Sequence, residues 1–313
     1  EVFPLYPDCP EDISIGRAKD GSMVFYAVPS PWYPNGVGYP ELSGAFNSVA
    51  DVTINEVFPL AAYGDPTPDW IELKNNTDHE VSLSGWYLSD TLSNLKRWKF
   101  PETIIPPGGY TTVYAGTEAV DVPAATASFS IAASGEKIFL SNPNGCRVDS
   151  LDLGSVRAGN SVGRTEDAER ARVFYVVPTF GEPNTSETYV GYAPKPVFSE
   201  TALLHKAPFT LTIRCSNPDA AIYFSTDGSE PTEQSTRYTG PITIDSNVVV
   251  RAASYSNGRL PSDIETHTYL FNVNHELPIF CLSTDPSNLS GEDSVQANKN
   301  LFNDSWERAA CIE

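Results

Sequence analysis

Between Val52 and about Tyr175, apolar residues come in runs too short for helices, and turn residues interrupt them at nearly even spacing. Ile71 and Leu73 alternate with polar neighbours in Asp69-Trp70-Ile71-Glu72-Leu73-Lys74, the period of two expected of a strand with one face in a core. Lys137 to Ser141 and Arg147 to Leu151 form two more runs, joined through Asn142-Pro143-Asn144-Gly145; Asn-Gly is a hairpin signal because both residues tolerate positive φ. Ile105-Pro106-Pro107-Gly108-Gly109 is a turn before the strand Tyr110 to Tyr114, and no helical periodicity interrupts the region. The 26 prolines and 21 glycines suit this pattern, since both residues break helices while Thr, Val and Tyr pack well on a pleated sheet. The fold class is all-β, and the strand spacing is that of a sandwich.

An internal repeat sets the organisation. Phe25-Tyr26-Ala27-Val28-Pro29-Ser30-Pro31-Trp32-Tyr33-Pro34-Asn35 aligns without gaps to Phe174-Tyr175-Val176-Val177-Pro178-Thr179-Phe180-Gly181-Glu182-Pro183-Asn184. Upstream of each copy lies a matching strand, Ser14-Ile15-Gly16-Arg17 and Ser161-Val162-Gly163-Arg164. Only the second copy has a full domain before it, so residues 1–40 read as the end of a preceding module and residues 50–188 as a complete one. After a linker rich in Pro, Thr and Ser, Phe209, Leu211, Ile213 and Cys215 alternate with Thr210, Thr212 and Arg214 as one half-buried strand. Ile222 and Phe224, a turn at Asp227-Gly228, and the runs 241–244, 248–253 and 266–271 follow. Residues 194–272 therefore make a second, smaller fibronectin-like sandwich, and 273–313 is a further piece. A chain of 313 residues is long enough for two such cores.

Charge narrows the partners. Lys plus Arg number 20 against 40 for Asp plus Glu, and the net charge of -20 repels nucleic acid and anionic lipid. No apolar run approaches the roughly 20 residues needed to cross a bilayer. Cys9, Cys146, Cys215, Cys281 and Cys311 lie far apart with no CxxC pair, which reads as buried thiols and not as a zinc site or disulfide scaffold. The sequence opens in a strand-like run, Glu1-Val2-Phe3-Pro4-Leu5, without the regions of a signal peptide.

Two family patterns are legible. Ile54-Asn55-Glu56, Asp69-Trp70-Ile71-Glu72-Leu73, Asn75, Gly85-Trp86-Tyr87-Leu88-Ser89-Asp90, Trp98, Phe100-Pro101, Ile105-Pro106-Pro107-Gly108 and Gly135-Glu136 together resemble the lamin tail domain in its bacterial surface-protein form. Lys195-Pro196-Val197-Phe198, Ala221 to Thr232, Tyr238-Thr239-Gly240-Pro241-Ile242 and Val250-Arg251-Ala252 resemble the chitobiase/β-hexosaminidase C-terminal module. His275 to Pro286, with Trp306-Glu307-Arg308-Ala309-Ala310, is similar to the opening of a CotH-type spore-coat kinase domain, whose nucleotide and metal sites need far more sequence than this. The resemblances imply an immunoglobulin-like sandwich, a smaller sandwich and, from their order, an extracellular or cell-surface protein.

Candidate chemistry is sparse. Gly159-Asn160-Ser161-Val162-Gly163 satisfies G-x-S-x-G, but a nucleophile elbow needs a helix after the serine, and here Arg164-Thr165-Glu166-Asp167 and another strand follow; the motif reads as structural. His79, His205, His267 and His275 stand alone, and Gly135-Glu136-Lys137 lacks the first half of a phosphate loop. Glu56, Asp69, Glu72 and Asp90, at recognisable positions of the lamin tail pattern, read as loop-capping residues, because no loop here spaces its acids as a calcium site would. The loop Asp285-Pro286-Ser287-Asn288 to Asp293 reads as solvated. Trp70, Trp86 and Trp98 sit inside strand patterns and read as packing residues. The candidates for ligand contact are Trp32, Tyr33 and Tyr39, in a Pro/Gly-rich connector where an exposed ring could stack on a sugar. Trp32, in the place of Phe180, has a second reading as a cover for the end of its sandwich.

The sequence thus leads to a non-catalytic binding or scaffolding segment with no cofactor and no metal, contacting glycans or other surface proteins. The alternative is an accessory arm of a CotH-like kinase whose catalytic domain lies beyond residue 313, and a third reading is a pure spacer.

Overall fold

The computed structural model describes residues 14–26, 38–39, 50–62, 65, 67–116, 125–167, 170–273, 278–290, 295 and 310–313. Compactness divides the chain into two units, Glu1–Thr188 and Tyr189–Glu313.

The first unit begins with β1 (Ser14–Arg17), β2 (Met23–Tyr26) and β3 (Gly38–Tyr39), a three-stranded antiparallel sheet. Then come β4 (Val52–Phe58), β5 (Trp70–Asn75), β6 (Val81–Ser82), β7 (Tyr87–Ser89), β8 (Trp98–Lys99), β9 (Ile104–Ile105), β10 (Tyr110–Ala115) and β11 (Thr126–Ala127). β12 (Lys137–Ser141), β13 (Arg147–Asp152), β14 (Ser161–Arg164), β15 (Arg172–Tyr175) and β16 (Thr188–Tyr189) follow. They form a seven-stranded sheet in the order β11-β10-β5-β4-β14-β15-β16 and a four-stranded sheet in the order β13-β12-β7-β8, with β6 and β9 as a separate pair. Ile54, Ile71 and Leu73 from the larger sheet and Leu88, Ile138 and Leu140 from the smaller one are fully buried, so the core lies between the two inner faces. Asn142 to Cys146 makes the expected hairpin between β12 and β13, and Gly145 takes φ +82° in its turn.

The repeat seen in the sequence is a repeat of register. β1 pairs with β2 as Ser14 to Tyr26, Ile15 to Phe25 and Gly16 to Val24; β14 pairs with β15 as Ser161 to Tyr175, Val162 to Phe174 and Gly163 to Val173. The hairpin loops differ in length, residues 18–22 in the first and 165–171 in the second, so the loop absorbs the offset while the strands keep their pairing. Tyr26 and Tyr175 each donate a hydroxyl hydrogen bond of 3.1 Å across the hairpin, to the carbonyls of Arg17 and Arg164. β3 lies beside β2 as β16 lies beside β15.

In the second unit β17 (Val197–Phe198), β18 (Leu204–His205), β19 (Phe209–Leu211), β20 (Ile213–Arg214), β21 (Ala221–Ser225) and β22 (Thr236–Arg237) precede β23 (Ile242–Ile244), β24 (Val248–Tyr255) and β25 (Glu265–Phe271). The main sheet has the order β18-β25-β24-β21-β22, and two short pairs, β17-β20 and β19-β23, face it across a core of Phe198, Leu211, Ile213, Ile222, Ile244, Val250, Ala252 and Tyr269. Phe209 to Cys215 is therefore not one strand. Its alternation holds, but the chain leaves β23 after Leu211 and joins β17 at Ile213, with Thr212 between them exchanging hydrogen bonds of 2.9 Å with Ser199. Period-2 burial continues through such a switch, so the pattern alone cannot reveal it.

β26 (Leu282–Ser283) pairs with β27 (Cys311–Ile312). Pro286–Leu289 buries no residue, as expected of a solvated segment, but it is one helical turn and not a loop, because Pro286 stands at its start and the Asp285 carboxylate accepts the Ser287 amide at 2.9 Å. The thiols also differ from expectation: Cys146 is buried, whereas Cys215, Cys281 and Cys311 are half-buried, and Cys9 lies outside the described residues.

Leu211 has no exposed surface at the point where the chain changes partner strands. Leu211→Ala should cost about 2–5 kcal/mol and lower the urea midpoint of the second unit; an unchanged midpoint would contradict this packing.

Candidate functional site

Strand register sorts the larger sheet into two faces. Ile54 opposite Leu73 and Val57 opposite Ile71 point into the core, while Glu56 opposite Glu72 and Phe58 opposite Trp70 lie on the other face. A β-bulge between Ile54 and Glu56 sets two residues, Asn55 and Glu56, against Glu72 alone. The bulge thus gathers an amide and two carboxylates on what the sequence pattern presents as the solvent side. Yet Glu56 and Glu72 are 0% exposed, and all seven residues of β4 are buried.

What covers them is the strap from Val176 to Asn184, the second copy of the repeated segment. The Thr179 amide donates to both Glu56 oxygens, at 3.2 and 3.1 Å, and the Gly181 amide donates to Glu72 Oε2 at 2.5 Å. Ser161 Oγ donates to Glu56 Oε1, and Asn55 Nδ2 donates to Glu72 Oε1 at 2.8 Å. Asn184 is buried at the end of the strap, its Nδ2 donating to the carbonyls of Asn55 (3.2 Å) and Arg164 (2.8 Å). Phe180, at the crown, sets its ring edge-on to Trp70 at 5.3 Å and parallel to Tyr114 at 6.1 Å, and remains 48% exposed. Val176 and Val177 beside it are exposed as well. The result is an apolar surface whose backbone is tied down by buried carboxylates.

Electrostatics follow from this burial. Glu56 is raised above the ordinary carboxylate range by desolvation, against the hydrogen bonds from Ser161 and Thr179. Glu72 is pushed up to about 7, chiefly by desolvation, with Asn55 and Gly181 opposing and the charges of Glu56 and Glu166 adding to it. Asp69 is raised to about 6 by burial, with the Ile131 amide opposing and Glu136 adding to the rise. Asp90 is ion-paired to Arg97. The loop-capping role expected of Glu56 and Glu72 is correct in kind, but they act from strand interiors. Among the described residues no cluster of three His, Cys, Asp or Glu could hold a metal ion.

The G-x-S-x-G stretch resolves into three structural roles. Gly159 takes φ +79° in the turn before β14, where a side chain would be strained. Ser161 is fully buried within β14 and donates to Glu56, so it cannot meet a substrate. Gly163 lies where a Cβ would come within 2.8 Å of the Asn55 carbonyl, 2.9 Å of Asn184 Nδ2 and 3.1 Å of the Tyr175 ring. The histidines are equally committed: His79 to Asp78, His205 stacked on Phe209, and His267 to Glu265; His275 lies outside the described residues.

Of the ligand-contact candidates, Trp32 and Tyr33 lie outside the described residues. Tyr39 belongs to strand β3, opposite Phe25, and not to an open connector; its ring is outside the described part. The second copy of the repeat supplies the site in their place, with Phe180 at the position of Trp32 covering Trp70. Trp70 is buried as expected, while Trp86 and Trp98 are half-buried, Trp98 packing edge-on against Phe100 at 4.8 Å. Thr179 and Asn184 were missed, as was the burial of Glu56 and Glu72, for which the sequence held one signal: a glutamate between apolar neighbours in Ile54-Asn55-Glu56-Val57-Phe58.

Two outcomes test this arrangement. A folded chain whose buried Glu56–Glu72 pair keeps one proton to about 7, the value to which Glu72 is pushed, binds more protons than the unfolded chain, whose Glu titrates near 4.5. The stabilisation is complete below that window and declines as pH rises through it, by on the order of 3 kcal/mol. Urea unfolding of the first unit should therefore have a lower midpoint at pH 8 than at pH 5; a higher one would refute the buried pair. Gly163→Ala should cost about 1–3 kcal/mol through collision with backbone and ring, measured the same way.

Comparison with known families agrees with this architecture. Among curated proteins, none matches the chain. Residues 46–155 match the family model described as Lamin Tail Domain, and residues 205–266 match that of the Chitobiase/beta-hexosaminidase C-terminal domain, so the chain carries an immunoglobulin-like lamin tail sandwich followed by a β-sandwich of the chitobiase C-terminal kind.

Proposed function

We propose that this chain is a non-catalytic binding and scaffolding segment of a modular extracellular protein, and that its lamin tail domain contacts glycans through the ring of Phe180. The observation that carries the reading is this ring: half-exposed, backed by Trp70 and Tyr114, and presented on a strap whose amides are anchored to Glu56 and Glu72. A sugar presents flat CH faces that a fixed aromatic ring can cover, and a ring held in place before binding loses little conformational freedom on contact. The repeat supports the same role, since its first copy carries Trp32 at the corresponding position. Support also comes from the match of residues 205–266 to a domain named for carbohydrate-cleaving enzymes. The non-catalytic part rests on Ser161, which is buried and bonded to Glu56 inside a strand.

The test is affinity electrophoresis and calorimetry of the whole chain against β-1,4-linked glucosyl and N-acetylglucosaminyl tetrasaccharides and solubilised peptidoglycan. At least one should bind, and Phe180→Ala should weaken it tenfold or more with circular dichroism unchanged. If none of these probes binds, the glycan reading falls and the spacer reading replaces it.

A further inference from the structure

Counting hydrogens in the strap network locates a proton. Asn184 Nδ2 faces two backbone carbonyls, of Asn55 and Arg164, which only accept, so its orientation is fixed and its Oδ1 is an acceptor. Asn55 Nδ2 donates to that Oδ1 at 3.0 Å, and Thr179 Oγ1 lies 2.8 Å from it, an oxygen–oxygen contact that places the single hydroxyl hydrogen between them. The same Oγ1 lies 2.5 Å from Glu56 Oε2, and that contact needs a hydrogen from the other side. Glu56 Oε2 supplies it when protonated. Glu56 also accepts from Ser161 Oγ and the Thr179 amide; Glu72 differs in having no hydroxyl contact among the described residues, its two oxygens being met by Asn55 Nδ2 and the Gly181 amide, which can only donate.

We propose that Glu56 and Glu72 together hold one proton, resident on Glu56 Oε2, and that its loss unlatches the strap Val176–Asn184 from the face of the sheet. With both ionised, two like charges would sit directly opposite each other on neighbouring strands and out of water, an arrangement that opposes folding. The surrounding charges do not offset them. Lys74 on β5 is paired with Glu166 and lies over the Tyr110 ring of β10; Arg164 on β14 is bound to Asp149; Arg170 in the hairpin loop donates to Thr53 and Asn76. Glu166 and Asp167 add further negative charge on the hairpin side, and Tyr175 on β15 stays neutral because burial raises its phenol. The cheapest relief is to lift the strap, whose anchors to these strands are the carboxylates and Asn184, and let water reach the pair. Phe180 would leave Trp70 in the same movement. The device does not depend on the glycan reading, since it concerns the strap alone.

The experiment is amide hydrogen exchange on the full chain with no ligand, following Thr179 and Gly181 at several pH values between 5.5 and 9, as protection relative to the intrinsic rate at each pH. Protection should fall at least tenfold across this range in the wild type. In Glu56→Gln, whose side-chain amide donates to Thr179 Oγ1 as the protonated acid does, it should stay level. Glu72→Gln should lose protection at every pH, because a second donor would face either Asn55 Nδ2 or the Gly181 amide. Level protection in the wild type, or the same fall in Glu56→Gln, overturns the proposal. The carboxyl ¹³C shift of Glu56 in the wild type gives an independent reading: it should report a protonated acid at pH 5.5, where exposed glutamates are ionised, and an ionised side chain at that pH would also overturn it.

Discussion

Two carboxylates placed side by side out of water must have their oxygens met by donors, and much of the first unit is arranged around that requirement. Glu56 and Glu72 face each other on the sheet surface opposite the core. An isolated ionised carboxylate in such a place is strongly unfavourable, so each oxygen is met by amides and hydroxyls drawn from β4, β14 and the strap. The β-bulge at Asn55, the glycine at 163 and the buried Asn184 all follow from it. The bulge brings the amide to the pair, the glycine leaves room for Asn184, and Asn184 ties the strap back to two strands.

This constraint links the sandwich to its surface. A sheet with one face on a core ordinarily leaves the other to solvent. Here the outer face carries Phe58, Trp70 and the acid pair, and the strap closes over them as a second, thinner layer. The backbone of Thr179 and Gly181 is spent on the carboxylates, which leaves the side chains of Val176, Val177 and Phe180 facing outward. A polar anchor beneath thus fixes an apolar surface above. The second unit reaches stability by a plainer route, an aliphatic and aromatic core between its main sheet and two short strand pairs.

Much of this was legible beforehand, for local reasons. The hairpin at Asn142 to Gly145 was readable because turn chemistry acts over four residues, and the strand Tyr110 to Tyr114, which runs on to Ala115, because a Pro-Gly turn precedes it. The repeat was legible because its copies resemble each other residue by residue along the chain; that both copies pair as hairpins in the same register came from the structure. The splitting of Phe209 to Cys215 between two partner strands was not legible, since alternation is the same whether a strand keeps its partner or changes it. Nor was the helical turn after Asp285, where one capping carboxylate decides between loop and helix.

The site divides along the same line. The amino-acid sequence by itself determined an all-β chain, a tandem of sandwiches, the equivalence of Trp32 and Phe180, and the structural nature of the G-x-S-x-G stretch, because strand period, turn residues and repeated segments are properties of neighbours along the chain. Only the tertiary structure decided that Glu72, a polar residue on the outward beat of an alternating strand, is fully buried, and that Glu56 stands opposite it. Burial of an outward-facing residue depends on a segment more than a hundred positions away folding back across it, and a one-residue bulge sets which side chains meet. Beyond the apolar neighbours of Glu56, neither leaves a mark in the local pattern, since the hydrogen bonds that settle both join residues as distant as Glu56 and Thr179.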